Sequence, residues 1–100
     1  MGLQELWTEY GPEGLMVVTV LTSDADGNLP DGADSRGWAN LYGSSHPVLA
    51  DNVGNGGLSR SVMSGGYAFP FYMLLDRGMV IETLAEGAES ITEEEVLSLL

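Results

Sequence analysis

Two apolar runs, Phe71 to Leu75 and Met79 to Leu84, are separated only by Asp76-Arg77-Gly78, and Pro70 stands directly before the first. Runs of that length joined by a short Asp- and Gly-containing link predict a β-hairpin. Proline has no N–H to give to a sheet, so it fits at the start of a strand and not within one. A lone hairpin is at best marginally stable in water. The remainder of the chain must therefore supply elements that cover it.

Those elements are legible on both sides. Leu3, Leu6, Trp7 and Tyr10 recur on one helical face, and Gly11-Pro12 is expected to end that helix, with Gly11 in the left-handed position. Leu15 to Leu21 is apolar except for Thr19 and β-branched-rich, which predicts a strand covered on both faces, as in a parallel sheet. Ser23 to Asp34 reads as a polar loop, after which Asp34 or Ser35 caps a helix with Trp38, Leu41 and Tyr42 on its apolar face and Gly43 at its end. Pro47 to Ala50 predicts a short edge strand, Asn52 to Gly57 a glycine-rich turn, and Leu58 to Met63 a turn or two of helix. At the C-terminal end Thr92 and Glu95 have capping-box spacing, Ile91 and Val96 can form a hydrophobic staple, and Glu93, Glu94 and Glu95 suit the positive end of a helix dipole. The order is helix, strand, helix, short strand, hairpin, helix. Residues 1–100 read as one domain, with no repeat or dividing linker.

Composition narrows the partners. The chain carries 15 acidic and 3 basic side chains and no lysine, a formal charge of −12. Binding nucleic acid or an anionic membrane surface requires clusters of Lys and Arg, so neither is expected. No apolar stretch has the length of a membrane helix. Met1 leads into a helix-like segment without the basic and apolar regions of a signal peptide, and the compartment stays open. With zero cysteines there are no disulfides, thiolate ligands or thiol nucleophiles.

Asp24-Ala25-Asp26-Gly27-Asn28 begins like a calcium loop, but Leu29 and Ser35 stand where the pattern needs Gly and Glu. A different calcium site drawn from Asp24, Asp26, Asn28, Asp31 or Asp34 is the weaker reading, and a solvated loop the stronger. His46, the one histidine, is read as a satisfied or exposed loop residue, a general base being the weaker reading because the sequence argues no Ser-His-Asp arrangement. Gly54-Asn55-Gly56-Gly57 lacks the lysine of a phosphate loop and is read as a turn. Trp7, Trp38, Tyr42 and Tyr72 are read as packing residues.

Taken in order, the segments LQELWTEYG (3–11), GLMVVTVLT (14–22), RGWANLYG (36–43), HPVLAD (46–51) and GYAFPFYMLLDRGMVI (66–81) resemble the bacterial redoxin branch of the thioredoxin-like superfamily, which contains thiol–disulfide oxidoreductases and peroxiredoxin-related proteins. The resemblance implies an α/β, three-layer thioredoxin-like fold, with helices on both faces of a mixed sheet, truncated at its N-terminus. It implies a cis bond before Pro70 and a loop, Ala68, Phe69, Pro70 and Phe71, that binds an extended substrate or partner segment; with no thiol beside it, a structural turn alone is the stronger reading of these residues and a residual binding surface the weaker. The bulky Phe71 departs from the small or hydroxyl residue usual there. The larger departure is the absent central strand with its Cys motif, which in the family lies between Leu15–Leu21 and Phe71–Leu75. Losing about five buried side chains there forfeits roughly 10 kcal/mol, comparable with the net stability of a domain. An upstream Cys-bearing segment, direct pairing of the two flanking strands, or a strand from a partner or second copy would each answer that loss. As it stands the chain is expected to be redox-inactive and to need no cofactor. Members of the family often work in the bacterial cell envelope.

Overall fold

The computed structural model describes residues 2–52, 70–87 and 91–100. Among them are three α-helices, α1 (Leu3–Tyr10), α2 (Gly32–Tyr42) and α3 (Glu93–Leu97), and four strands, β1 (Thr19–Leu21), β2 (Val48–Ala50), β3 (Phe71–Leu75) and β4 (Ile81–Glu86). The strands form two separate two-stranded sheets: β1 pairs with β2 in parallel, and β3 with β4 antiparallel. The molecule is thus a small mixed α/β protein, and the order of elements agrees with the sequence reading. The expected segments at Asn52–Gly57 and Leu58–Met63 lie outside the described residues but for Asn52.

α1 does not stop at Gly11, whose backbone stays right-handed (φ −52°, ψ −48°). The chain tightens into a 3-10 turn, Gly11–Glu13, in which Pro12 fits because the first turn asks little of its missing N–H. Gly14 takes the left-handed position (φ 113°). Its N–H donates to Gly11 O at 3.0 Å and the Leu15 N–H to Tyr10 O at 3.1 Å, a Schellman closure. Leu15, just past the glycine, packs against the core that contains Tyr10.

That core joins α1, the hairpin and α3. Leu6, Tyr10, Ile91 and Val96 are buried together, with Leu3, Leu15, Tyr72 and Leu74 packed around them. Tyr72 and Leu74 alternate on one face of β3, so α1 and α3 share that face. Thr92 caps α3 as expected, accepting from Glu95 N–H at 3.1 Å, while Glu95 Oε1 accepts from Thr92 N–H at 3.2 Å.

The hairpin turn is wider than the sequence suggests. Asp76 Oδ1 accepts from the N–H groups of Gly78 (2.8 Å) and Val80 (3.0 Å), and the Asp76 N–H donates to Val80 O at 2.9 Å. The left-handed residue is Met79 (φ 65°), not the glycine before it. β4 accordingly begins at Ile81. Leu74 faces Thr83 while Leu75 faces Ile81, so Glu82 is the extra residue of a β-bulge. Of the apolar run Met79 to Leu84, the residues Met79, Val80, Ile81 and Leu84 are exposed, and Ala85, just beyond it, is buried.

The other sheet is thinner. Of the run Leu15 to Leu21 only the last three residues pair, and the expectation of cover on both faces fails: Val17 is buried, but Met16 is 64% exposed and Val18 is also exposed. α2 begins earlier than expected, with Asp31 as its N-cap, and ends at Gly43 (φ 65°) as expected. Its apolar face, Trp38, Leu41 and Tyr42, is exposed and not a packing surface among the described residues. Trp38 and Tyr42 lie against each other instead, ring centroids 4.5 Å apart.

Candidate functional site

Of the loop singled out in the sequence, Ala68 and Phe69 lie outside the described residues, as does the geometry of the Phe69–Pro70 bond. Pro70 is exposed at the mouth of the hairpin, where its carbonyl accepts from Gly87 N–H at 2.9 Å. Phe71, the first residue of β3, is half-buried.

Pro70 sits at one end of a sheet edge. The pairing of Pro70 with Gly87 sets the alternation of the antiparallel ladder. Tyr72 and Leu74 turn their backbone groups to β4, and Met73 turns its own to the opposite edge. β1 has the same character. Thr19 N–H donates to Pro47 O (3.0 Å) and Leu21 O accepts from Asp51 N–H (2.9 Å), which leaves the Val20 backbone facing away from β2. Among the described residues neither β1 nor β3 has a second strand partner. Direct pairing of β1 with β3, one of the expected remedies for a missing strand, does not occur. Each strand keeps its own partner, parallel in one sheet and antiparallel in the other.

The calcium candidates are not brought together. Asp24 Oδ1 accepts from the N–H groups of Asp26 and Asn28, both at 2.8 Å, and so shapes its own turn. Asp31 Oδ1 accepts from Asp34 N–H at 3.0 Å, and Asp34 Oδ2 from Asp31 N–H at 2.8 Å. These bonds make a capping box and, led by the Asp34 N–H, hold the Asp31 carboxyl below its usual range. Among the described residues no group of three or more His, Cys, Asp or Glu side chains is placed to hold a metal ion.

The acidic triplet at α3 does more than its spacing indicated. Tyr10 Oη donates to Glu93 Oε2 at 2.6 Å, tying α1 to α3. That bond, with burial second, pushes the phenol up to about 12. Glu95 is held below its usual range first by a hydrogen bond with Thr83 of β4 and then by those with Thr92.

His46 is buried, in keeping with the reading of a satisfied loop residue. Its partners were not foreseeable from spacing: Gln4 Oε1 lies 3.0 Å from Nδ1 and Thr19 Oγ1 3.0 Å from Nε2. Ser45 joins the same group, its N–H donating to Gln4 Oε1 (2.9 Å) and its hydroxyl accepting from Gln4 Nε2 (2.8 Å) and Trp7 Nε1 (3.1 Å). Comparison with known proteins gives no matching family model, no matching curated protein and no matching solved structure.

Proposed function

We propose that this chain is a redoxin-type scaffold of the thioredoxin-like superfamily whose sheet is divided where a central strand belongs, and that it performs no thiol chemistry by itself. The observation that carries the reading is the division of the described strands into a parallel pair and an antiparallel pair, in which β1 and β3 each have a single strand partner among the described residues. A strand inserted there would complete the order β2-β1-strand-β3-β4 of the three-layer fold. It would receive hydrogen bonds from backbone now facing outward at Val20 and Met73. The thiols of a reductase or peroxidase would arrive on that strand, beside Pro70, whether on the same polypeptide or on another. Without it there is no cysteine and so no thiolate to attack a disulfide. What remains is recognition: exposed Pro70 and the outward-facing backbone of Val20 and Met73 favour an extended peptide, held by backbone pairing, as the non-catalytic use of the same surface.

The chain alone is expected to give no dithiothreitol-coupled insulin reduction above a no-protein control. Fusing an apolar strand followed by Cys-x-x-Cys ahead of Gly2 is expected to sharpen thermal unfolding and to introduce reduction. Turnover by the parent overturns the chemical part. A fusion that melts no more cooperatively than the parent overturns the scaffold.

A further inference from the structure

We propose that His46 is a proton-sensitive latch fastening α1 to the start of β1 and to the loop before β2. The ring is only 5% exposed and bonded at both nitrogens by side chains of different elements, Gln4 from α1 and Thr19 from β1. Ser45, its neighbour in the loop, is bonded to Gln4 and Trp7 of the same helix.

The tautomer follows from one backbone donor. Ser45 N–H can only donate, so the Gln4 atom it meets at 2.9 Å is the oxygen. That oxygen cannot donate to His46, so Nδ1 carries the proton and Nε2 accepts from the Thr19 hydroxyl. Protonation at Nε2 reverses the Thr19 bond and places a charge on a ring largely withdrawn from water.

The groups that meet the ring are uncharged. On the elements around it the charged side chains are Glu5 and Glu9 of α1, β1 having none, and Glu5 is engaged with Gly2 N–H at 3.3 Å. Burial is the cause that holds the imidazole below its ordinary 6.5. The sign follows: the exposed ring binds the proton more readily than the latched one. The latch therefore contributes fully above 6.5 and loosens as pH falls from there toward the folded-state value. His46 is the chain's one histidine, the side-chain type whose ordinary charge change falls between about pH 5 and 8, so that window belongs to it.

The test is amide exchange of Leu6 to Tyr10 at pH 7.5 and 5.5, corrected for intrinsic rates, in the full chain and in His46→Asn. Protection is expected to fall by up to about tenfold at the lower pH in the parent and to stay level in the variant. Unchanged protection in the parent, or an equal fall in the variant, overturns the latch. Should the variant not fold, nitrogen-detected NMR of the parent decides. An Nδ1–H tautomer with a titration midpoint below 6.5 supports it, and an Nε2–H tautomer or a midpoint at or above 6.5 overturns it.

Discussion

The two halves of the molecule are built with equal attention to their ends and very unequal cover. In the hairpin half, α1 and α3 close over Tyr72 and Leu74, and the Tyr10–Glu93 bond crosses between the helices. In the crossover half, the parallel strands β1 and β2 with α2 connecting them, α2 is as well capped as α3, with Asp31 and Asp34 at one end and Gly43 at the other. Yet Trp38, Leu41, Tyr42, Leu49, Met16 and Val18 are exposed. Ser35 Oγ is buried beside an open cleft between α2 and β2, with no hydrogen-bond partner among the described residues. Caps and turns are satisfied by a few neighbouring residues, so they form in either half. Burial needs a second surface: among the described residues Tyr72 and Leu74 have one, whereas the apolar face of α2 and the hairpin residues Met79, Val80, Ile81 and Leu84 are exposed.

The widest separation between the halves should appear on deleting buried carbon. Leu6 is 1% exposed and central to the shared core. Leu6→Ala is expected to cost about 3 kcal/mol by denaturant unfolding, from lost transfer energy and the cavity left behind. A cost below about 1 kcal/mol would mean that α1 is not anchored as described, and the contrast between the halves would disappear.

A smaller effect tests whether the hairpin half tolerates local strain because its surroundings determine it. Met79 holds a left-handed backbone (φ 65°) that costs a side-chain-bearing residue roughly 1–2 kcal/mol. The Asp76 carboxylate, accepting from Val80 and Gly78 N–H, keeps the turn in that shape, and these bonds hold its pKa below the usual range. Met79→Gly removes the strain but adds freedom to the unfolded chain, so a net gain of about 0.5–1 kcal/mol is expected in the denaturation midpoint. A loss would show that the Met79 side chain, 76% exposed, is covered in solution.

The legible part of this fold was the local part. Thr92 with Glu95, Gly43 after Tyr42, and the apolar runs around Asp76 each carry a signal within a few residues. Where two local solutions compete, the reading slipped: Gly11-Pro12 and Gly14-Leu15 both look like helix ends, and only the latter has an apolar residue placed to return to the core. The bulge at Glu82 was hidden because it depends on which residue of the turn turns left-handed. For the candidate site, Pro70 at the hairpin mouth was visible, whereas the single strand partner that β1 and β3 each have among the described residues is a property of pairing. Apolar content suggested that Leu15 to Leu21 and the α2 face were covered. It records what a segment needs against it, and the described residues do not meet that need. His46 was visible as a single residue, but Gln4 and Thr19 lie 42 and 27 positions away.

The smallest expected effect is also the sharpest test of the contrast. Leu41 is 75% exposed on α2, at the outer end of an apolar face with no cover among the described residues. Replacing it with serine removes little buried area in the isolated chain and leaves both helix caps intact. Leu41→Ser should therefore shift stability by no more than about 0.5 kcal/mol, against the large loss at Leu6. A cost above about 1 kcal/mol would place a second surface on α2 in solution. If that cost grows with protein concentration, the surface belongs to another copy of the chain. If it does not, it belongs to this chain, and the crossover half is then as fully covered as the hairpin half.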